Sequence, residues 1–163
     1  MRGARIKGCF YRIAGDPDKI CIAEGFATAA SIQEATGYTV VVAFDAGNLR
    51  SVAEAIAKTS SAAELIICAD DDWKTKAGNV GVQKAKDAAR AVGAKLAIPL
   101  FGQNRRDKDT DFNDLATFIG PEAVQRCIDE AAAPEADANV DEEIARLAKL
   151  DPVARFSADL AAN

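Results

Sequence analysis

A chain of 163 residues, 49% hydrophobic and 28% charged, is long enough for one domain with its own core and a short appendage, and its net charge of −5 argues against a free-standing nucleic-acid binder. It contains no histidine, which excludes Ser-His triads, histidine-based zinc sites and imidazole proton transfer, so chemistry must run on carboxylates, lysines, arginines, hydroxyls and bound metal. No apolar run reaches the roughly 18 residues of a membrane span, and Met1-Arg2-Gly3-Ala4-Arg5 has no apolar signal core behind it, so the cytoplasm is the expected compartment.

Residues 5–14 read as a leading β-segment, with Asp16-Pro17-Asp18 as a turn. Lys19 to Ala23 is a buried strand ending at Glu24-Gly25, and Phe26 to Thr36 is a helix stopped by Gly37. Thr39 to Phe44 is a second core strand, followed by Asp45-Ala46-Gly47 and a helix from Asn48 to Lys58. Glu64 to Ala69 is a third, ending in Asp70-Asp71-Asp72; a helix from Asn79 to Val92 stops at Gly93, and Lys95 to Ile98 is a fourth strand closed by Pro99. A charged loop from Gly102 to Asp111 leads to helices at Phe112 to Ile119 and Pro121 to Ala133. The predicted domain is 1–133 with its core at 19–130, and 134–163 is an acidic, Ala-rich linker with short helices at Asp141 to Leu150 and Pro152 to Leu160. That tail reads as leading into a further domain. Cys9, Cys21, Cys68 and Cys127 have no CxxC spacing and are expected to be reduced thiols.

Near-continuous apolar strands separated by helices predict an α/β fold, a central parallel four-stranded sheet flanked by helices on both faces. Right-handed crossovers then bring every strand's C-terminal end to one edge, where open α/β sheets carry their ligands. Glu24, Asp45 and Asp70 to Asp72 all stand at such ends. Asp70 and Asp72 are two apart, so in an extended segment both side chains leave the same way. Carboxylates converging there repel one another unless a divalent cation neutralises them, and such hard oxygen ligands suit Mg²⁺ or Mn²⁺. A solvated loop, with Asp72 near a helix start, is the plainer reading of three aspartates alone.

Ile22-Ala23-Glu24-Gly25 resembles the first motif of the Toprim family, which is shared by bacterial primases, type IA and II topoisomerases and some nucleases. Ile66-Ile67-Cys68-Ala69-Asp70-Asp71-Asp72 is similar to its Asp-x-Asp motif. The stretch Gly78 to Ala85, with Ala88 and Ala89, looks like the small-residue helix that follows, and Asp109 to Leu115 resembles the Asp-x-Asn-Asp element of plasmid and phage primase–helicase proteins. The resemblance covers roughly residues 6–130. It implies a Toprim, Rossmann-like fold, Glu24 as general acid/base or metal ligand, and Asp70 and Asp72 as metal ligands. It further implies Mg²⁺ or Mn²⁺ as cofactor, DNA template and nucleotides as partners, and helicase or zinc-binding domains in the parent protein. The expected activity is RNA primer synthesis by a DNA primase.

Asp111 and Asp114 read either as a second carboxylate wall or, for Asp111, as a helix cap; Asn113 reads as holding that loop. Lys74, Lys76, Arg105 and Arg106, with Lys108, follow the third and fourth core strands and are candidate phosphate or nucleic-acid contacts. Trp73 is a candidate base-stacking ring or a loop-packing residue. Gly25 is expected to permit a sharp turn and close approach of a phosphate. No Walker or GxGxxG signature is present. Two rivals remain: a Toprim-type nuclease activating water with the same carboxylates, and a receiver-like phosphoacceptor domain with Lys95 as its lysine.

Overall fold

The computed structural model describes residues 6–75, 78–103 and 105–134; the expected tail helices and Lys76 lie outside them. In chain order the elements are β1 (Tyr11–Ile13), β2 (Asp16–Ala23), α1 (Phe26–Thr36), β3 (Tyr38–Val42), a 3₁₀ turn (Ala46–Asn48), α2 (Leu49–Thr59), β4 (Glu64–Cys68), α3 (Val80–Val92), β5 (Lys95–Ala97), α4 (Phe112–Phe118) and α5 (Pro121–Asp129). The sheet order is β1-β3-β2-β4-β5. The last four of these are mutually parallel, as the alternation of strand and helix requires, and β1 adds an antiparallel edge to β3.

Side-chain alternation divides each strand between two cores. Cys21, Val40, Val42, Ile66 and Cys68 face a layer with Ile32, Phe112, Leu115 and Ile128, drawn from α1, α4 and α5. Ile20, Ile22, Val41 and Ile67 face Val52, Ile56, Ala85 and Ala89 of α2 and α3. The alanines of α3 let it lie close to the sheet. Cys21, Cys68 and Cys127 are buried free thiols and Cys9 is an exposed one. Among the described residues no helix is long and apolar enough to cross a membrane.

Two boundaries differ from the sequence reading. Asp16 already pairs with Tyr38, and the register shifts between Asp16 and Ile20, so the turn lies at Ala14-Gly15 rather than at Asp16-Pro17-Asp18. Gly15 is required there, because a Cβ would come within 2.4 Å of the Gly37 and Tyr38 carbonyl oxygens. Helix α5 ends at Asp129 and the chain returns along β5, with the Leu96 N–H donating to the Ala132 carbonyl at 2.8 Å. That pairing covers an otherwise open sheet edge.

Candidate metal centre

Adjacent parallel strands β2 and β4 run in register, Ile22 opposite Ile67, so their C-terminal ends deliver Glu24 and Asp70 to the same edge. Asp70 is the focus of the site. Its Oδ1 is buried and has no hydrogen-bond partner among the described residues. Burial raises its pKa to about 7, with further upward pressure from Glu24, Asp111, Asp72 and Asp114. Glu24 is also raised, first by burial and then by Asp45 and Asp72, against a hydrogen bond from the Ala46 backbone N–H. Four chain segments therefore bring carboxylates towards one point.

Local structure fixes each segment. Asn79, the N-cap of α3, accepts from the Asp72 N–H at 2.9 Å and the Val82 N–H at 3.3 Å, and its amide donates to Asp71 Oδ1. The α3 N-terminus then sits directly on the acidic loop. A Cβ on Gly81 would fall 2.3 Å from the Asp70 carbonyl oxygen and 3.2 Å from Asp72 Oδ2, so this approach demands glycine. On the other side, Asp111 caps α4 by accepting from the Asp114 N–H at 2.8 Å, and its Oδ2 accepts from Thr28 Oγ1 at 2.8 Å. Asp114 accepts from the Thr110 N–H at 2.9 Å, and the Thr110 carbonyl accepts from the Asp71 N–H at 2.7 Å. Asn113 accepts from Ser31 Oγ at 3.0 Å. Asp111 is thus both a helix cap and a charge facing Asp70.

Of the candidate basic residues, Lys74, Arg105 and Arg106 are engaged in ion pairs of their own. Arg105 donates from Nη1 to Asp71 Oδ2 at 2.5 Å, from Nη2 to the Asp71 carbonyl at 2.8 Å and from Nε to the Asp109 carbonyl at 2.9 Å. It also lies 4.8 Å from the Trp73 ring centroid and 4.6 Å from that of Phe101. Arg106 grips the fully buried Asp109 and stacks on Phe118, holding the aspartate's pKa below the usual carboxylate range. Lys74 pairs with Asp107 at 2.5 Å and lies over Trp73. Trp73, 43% exposed, is therefore flanked by two cations. Lys95 pairs with Glu64 at 2.7 Å, at the N-terminal ends of β5 and β4 and away from the acidic edge. That position removes the lysine a receiver-like site needs.

Gly25 is not demanded by its backbone. Its φ of −95° and ψ of 153° are open to any residue, and a Cβ would make only ordinary contact with Thr28 Oγ1 at 3.4 Å. The structure also gives parts at the site to residues that the sequence reading did not name as ligands. Asp45 presses on Glu24, Thr28 anchors Asp111, and Asn79 locks the Asp-x-Asp loop. Asp45 carried a signal as an acid at a strand end and Asn79 as a residue where a helix cap is expected, whereas Thr28 carried none.

The donor set is all carboxylate, with one orphaned buried oxygen, and so fits a hard divalent cation in its chemistry. Among the described residues no three acidic or cysteine side chains are already closed around one point. Ion binding here requires carboxylates to rotate inward.

A family model for the Toprim domain matches residues 19–122, the span that contains every carboxylate of the acidic edge. One DNA primase TraC of Escherichia coli is 39% identical over 118 residues, covering 66% of this chain and 11% of the relative. A second DNA primase TraC of Escherichia coli is 39% identical over 108 residues, covering 61% and 8%. The chain spans about a tenth of the length of these curated relatives. With the motifs in order, the α/β sheet and the family match in agreement, the chain belongs to the Toprim family.

Proposed function

We propose that this chain is the catalytic Toprim unit of a DNA primase, and that it carries out metal-dependent nucleotidyl transfer in making RNA primers. The observation that carries the reading is Asp70, half-buried, with a buried and unpartnered Oδ1, and surrounded by Glu24, Asp72, Asp111 and Asp114. A fold retains such mutual repulsion when another ligand relieves it. Glu24, Asp70 and Asp72 would hold Mg²⁺ or Mn²⁺, which supplies charge stabilisation at the transferring phosphate. Asp111 and Asp114 act from the far wall by adding negative potential while keeping α4 in place.

In this reading the primer 3′-hydroxyl attacks the α-phosphorus of a nucleoside triphosphate, a new P–O bond forms, and the bond to pyrophosphate breaks. Glu24 takes the hydroxyl proton. Its raised proton affinity suits that task better than an ordinary exposed carboxylate would. DNA template and nucleotides are then the substrates, the parent protein supplies helicase or zinc-binding modules, and the cytoplasm is where these substrates are met. Support comes from the relatives named DNA primase.

Calorimetry with Mg²⁺ and Mn²⁺ tests the centre. Native chain binds, and Asp70→Asn/Asp72→Asn does not; equal binding by both sinks the reading. Labelled DNA then separates synthesis from its rival. Nucleotide incorporation identifies a primase unit, whereas shortening of input strands without incorporation identifies a nuclease.

A further inference from the structure

Among the described residues the most exposed aromatic rings stand beside the acidic edge. Tyr11, Phe26 and Phe44 are 53%, 55% and 59% exposed. Tyr11 stands opposite Val42 at the C-terminal end of β3, Phe26 opens α1 two residues after Glu24, and Phe44 immediately precedes Asp45. The Tyr11 and Phe26 rings are 5.9 Å apart, tilted by 51°. Three apolar rings thus line one end of the sheet, on the β3 side of Glu24.

Phe44 gives the strongest reason to treat this as more than incidental exposure. Its φ of 65° is the only positive value at a non-glycine among the described residues, and its N–H donates to the Glu24 carbonyl at 2.8 Å. Left-handed backbone at a residue with a bulky side chain costs about 1–2 kcal/mol, and no burial of the ring compensates for it here. Strain of this kind concentrates where a side chain must be aimed. The leading segment is also fixed at this rim. Asn48 accepts from the Gly8 N–H at 2.8 Å and donates to the Cys9 and Ala43 carbonyls at 3.0 and 2.8 Å. Among the described residues that segment carries Lys7 and Arg12 and no acidic residue before Asp16, in a chain whose net charge is −5.

We propose that Tyr11, Phe26 and Phe44 form a stacking surface for the unpaired bases of a single nucleic-acid strand, with Arg12, exposed on the same edge strand as Tyr11, attracting the strand's phosphates. The inference rests on the reading of the acidic edge as a phosphodiester centre and adds where the strand lies. An acidic rim repels a polyanion, so affinity next to Glu24 has to come from uncharged contact. Stacking provides it without placing cations where they would compete with a metal. Base–aromatic stacking is also indifferent to sequence, because every base has a π-face.

The test is fluorescence anisotropy of labelled oligothymidylate of about 20 nucleotides, long enough for the site sizes typical of strand-binding surfaces, with the full chain in EDTA. Native protein is expected to bind, and Phe26→Ala/Phe44→Ala to bind about tenfold more weakly or worse. An abasic strand of the same length should bind native protein as weakly as the variant binds oligothymidylate. Phe26→Leu/Phe44→Leu, which keeps apolar bulk and removes the π-faces, should show the same loss if the alanine variant does not fold. Equal binding by native and leucine variant, equal binding of the abasic strand, or no binding by native protein each overturns the stacking surface; the last is what a rim covered by another protein gives. Mg²⁺ calorimetry on the leucine variant keeps the two ideas apart. Retained metal binding with lost strand binding supports the surface, whereas failure of native protein to bind metal removes the catalytic reading and leaves the strand measurement standing.

Discussion

Two sets of carboxylates lie within a few residues of one another, and the fold treats them in opposite ways. Asp71 and Asp109 are each held by an arginine, with the Asp71–Arg105 pair largely buried and the Asp109 carboxylate wholly so. Asp70 and Glu24 stand at the neighbouring sheet edge, pressed by other acids and raised in pKa. The dividing line runs between adjacent residues, because alternate side chains of an extended segment leave in opposite directions. Asp71 meets the loop that follows β5, whereas Asp70 and Asp72 turn towards β2 and α3. One set is architecture. The other is a store of repulsion available to a ligand.

The sharpest way to break this contrast is to remove the paired acid. Asp71→Ala leaves Arg105 without its carboxylate in a site where both side chains are only 15% exposed. Breaking such a pair by removing one partner should cost about 3 kcal/mol, read as a fall in thermal or urea midpoint. An unchanged midpoint would mean that the carbonyls of Asp71 and Asp109 alone hold Arg105. Gly81→Ala attacks the unpaired set from behind, since its Cβ would meet the Asp70 carbonyl at 2.3 Å. Overpacking of this kind should cost about 2 kcal/mol and weaken Mg²⁺ binding together with stability.

These magnitudes bear on what a sequence can display. The core strands were legible because Ile20 to Ala23, Val40 to Val42 and Ile66 to Cys68 are apolar on both faces, as buried parallel strands must be. Glu24 and Asp70 were legible because an acid at the end of such a strand is conspicuous. The Arg105–Asp71 pair was not, since it joins residues 34 apart through two loops, and Thr28–Asp111 joins residues 83 apart. Charge on a loop looks the same whether it faces solvent or a partner. Lys74, Arg105 and Arg106 were singled out from sequence as phosphate contacts, and each has a carboxylate partner in the fold. A leading β-segment is expected over 5–14, but strand β1 is only Tyr11–Ile13, because its extent and register depend on pairing with β3.

Asp70→Asn should act in the opposite direction to Asp71→Ala. Asp70 has a folded pKa of about 7 against an ordinary value of 3.8, so the native state holds a proton that the unfolded chain releases. Its contribution to stability is neutral below the unfolded value and falls as pH rises from about 4 to about 7, where the penalty becomes complete. With part of the group in contact with water, that penalty is on the order of 2 kcal/mol. In EDTA at pH 8, Asp70→Asn should therefore be more stable than native protein by that order, and at pH 4 no more stable. Adding Mg²⁺ should stabilise native protein and leave the variant unmoved. A variant destabilised at pH 8 would mean that Asp70 is held by contacts rather than strained.

The smallest effect belongs to the far end of the sheet, and there the expected outcome is close to nothing. Lys95 and Glu64 form an ion pair with 42% and 37% of their side chains exposed. Water screens such a pair, so Lys95→Met should change stability by about 0.5 kcal/mol or less. It should leave metal and strand binding alone, because the pair sits at the N-terminal ends of β4 and β5, a strand's length from Asp70. A receiver-like phosphoacceptor makes the reverse demand, since its lysine must reach the phosphorylated aspartate. Incubation with a small phosphodonor therefore bears on the whole acidic edge. Stable labelling of an Asp that disappears in Lys95→Met would require β5 to approach Asp70 from its other end, which the parallel register of Ile66 with Lys95 forbids.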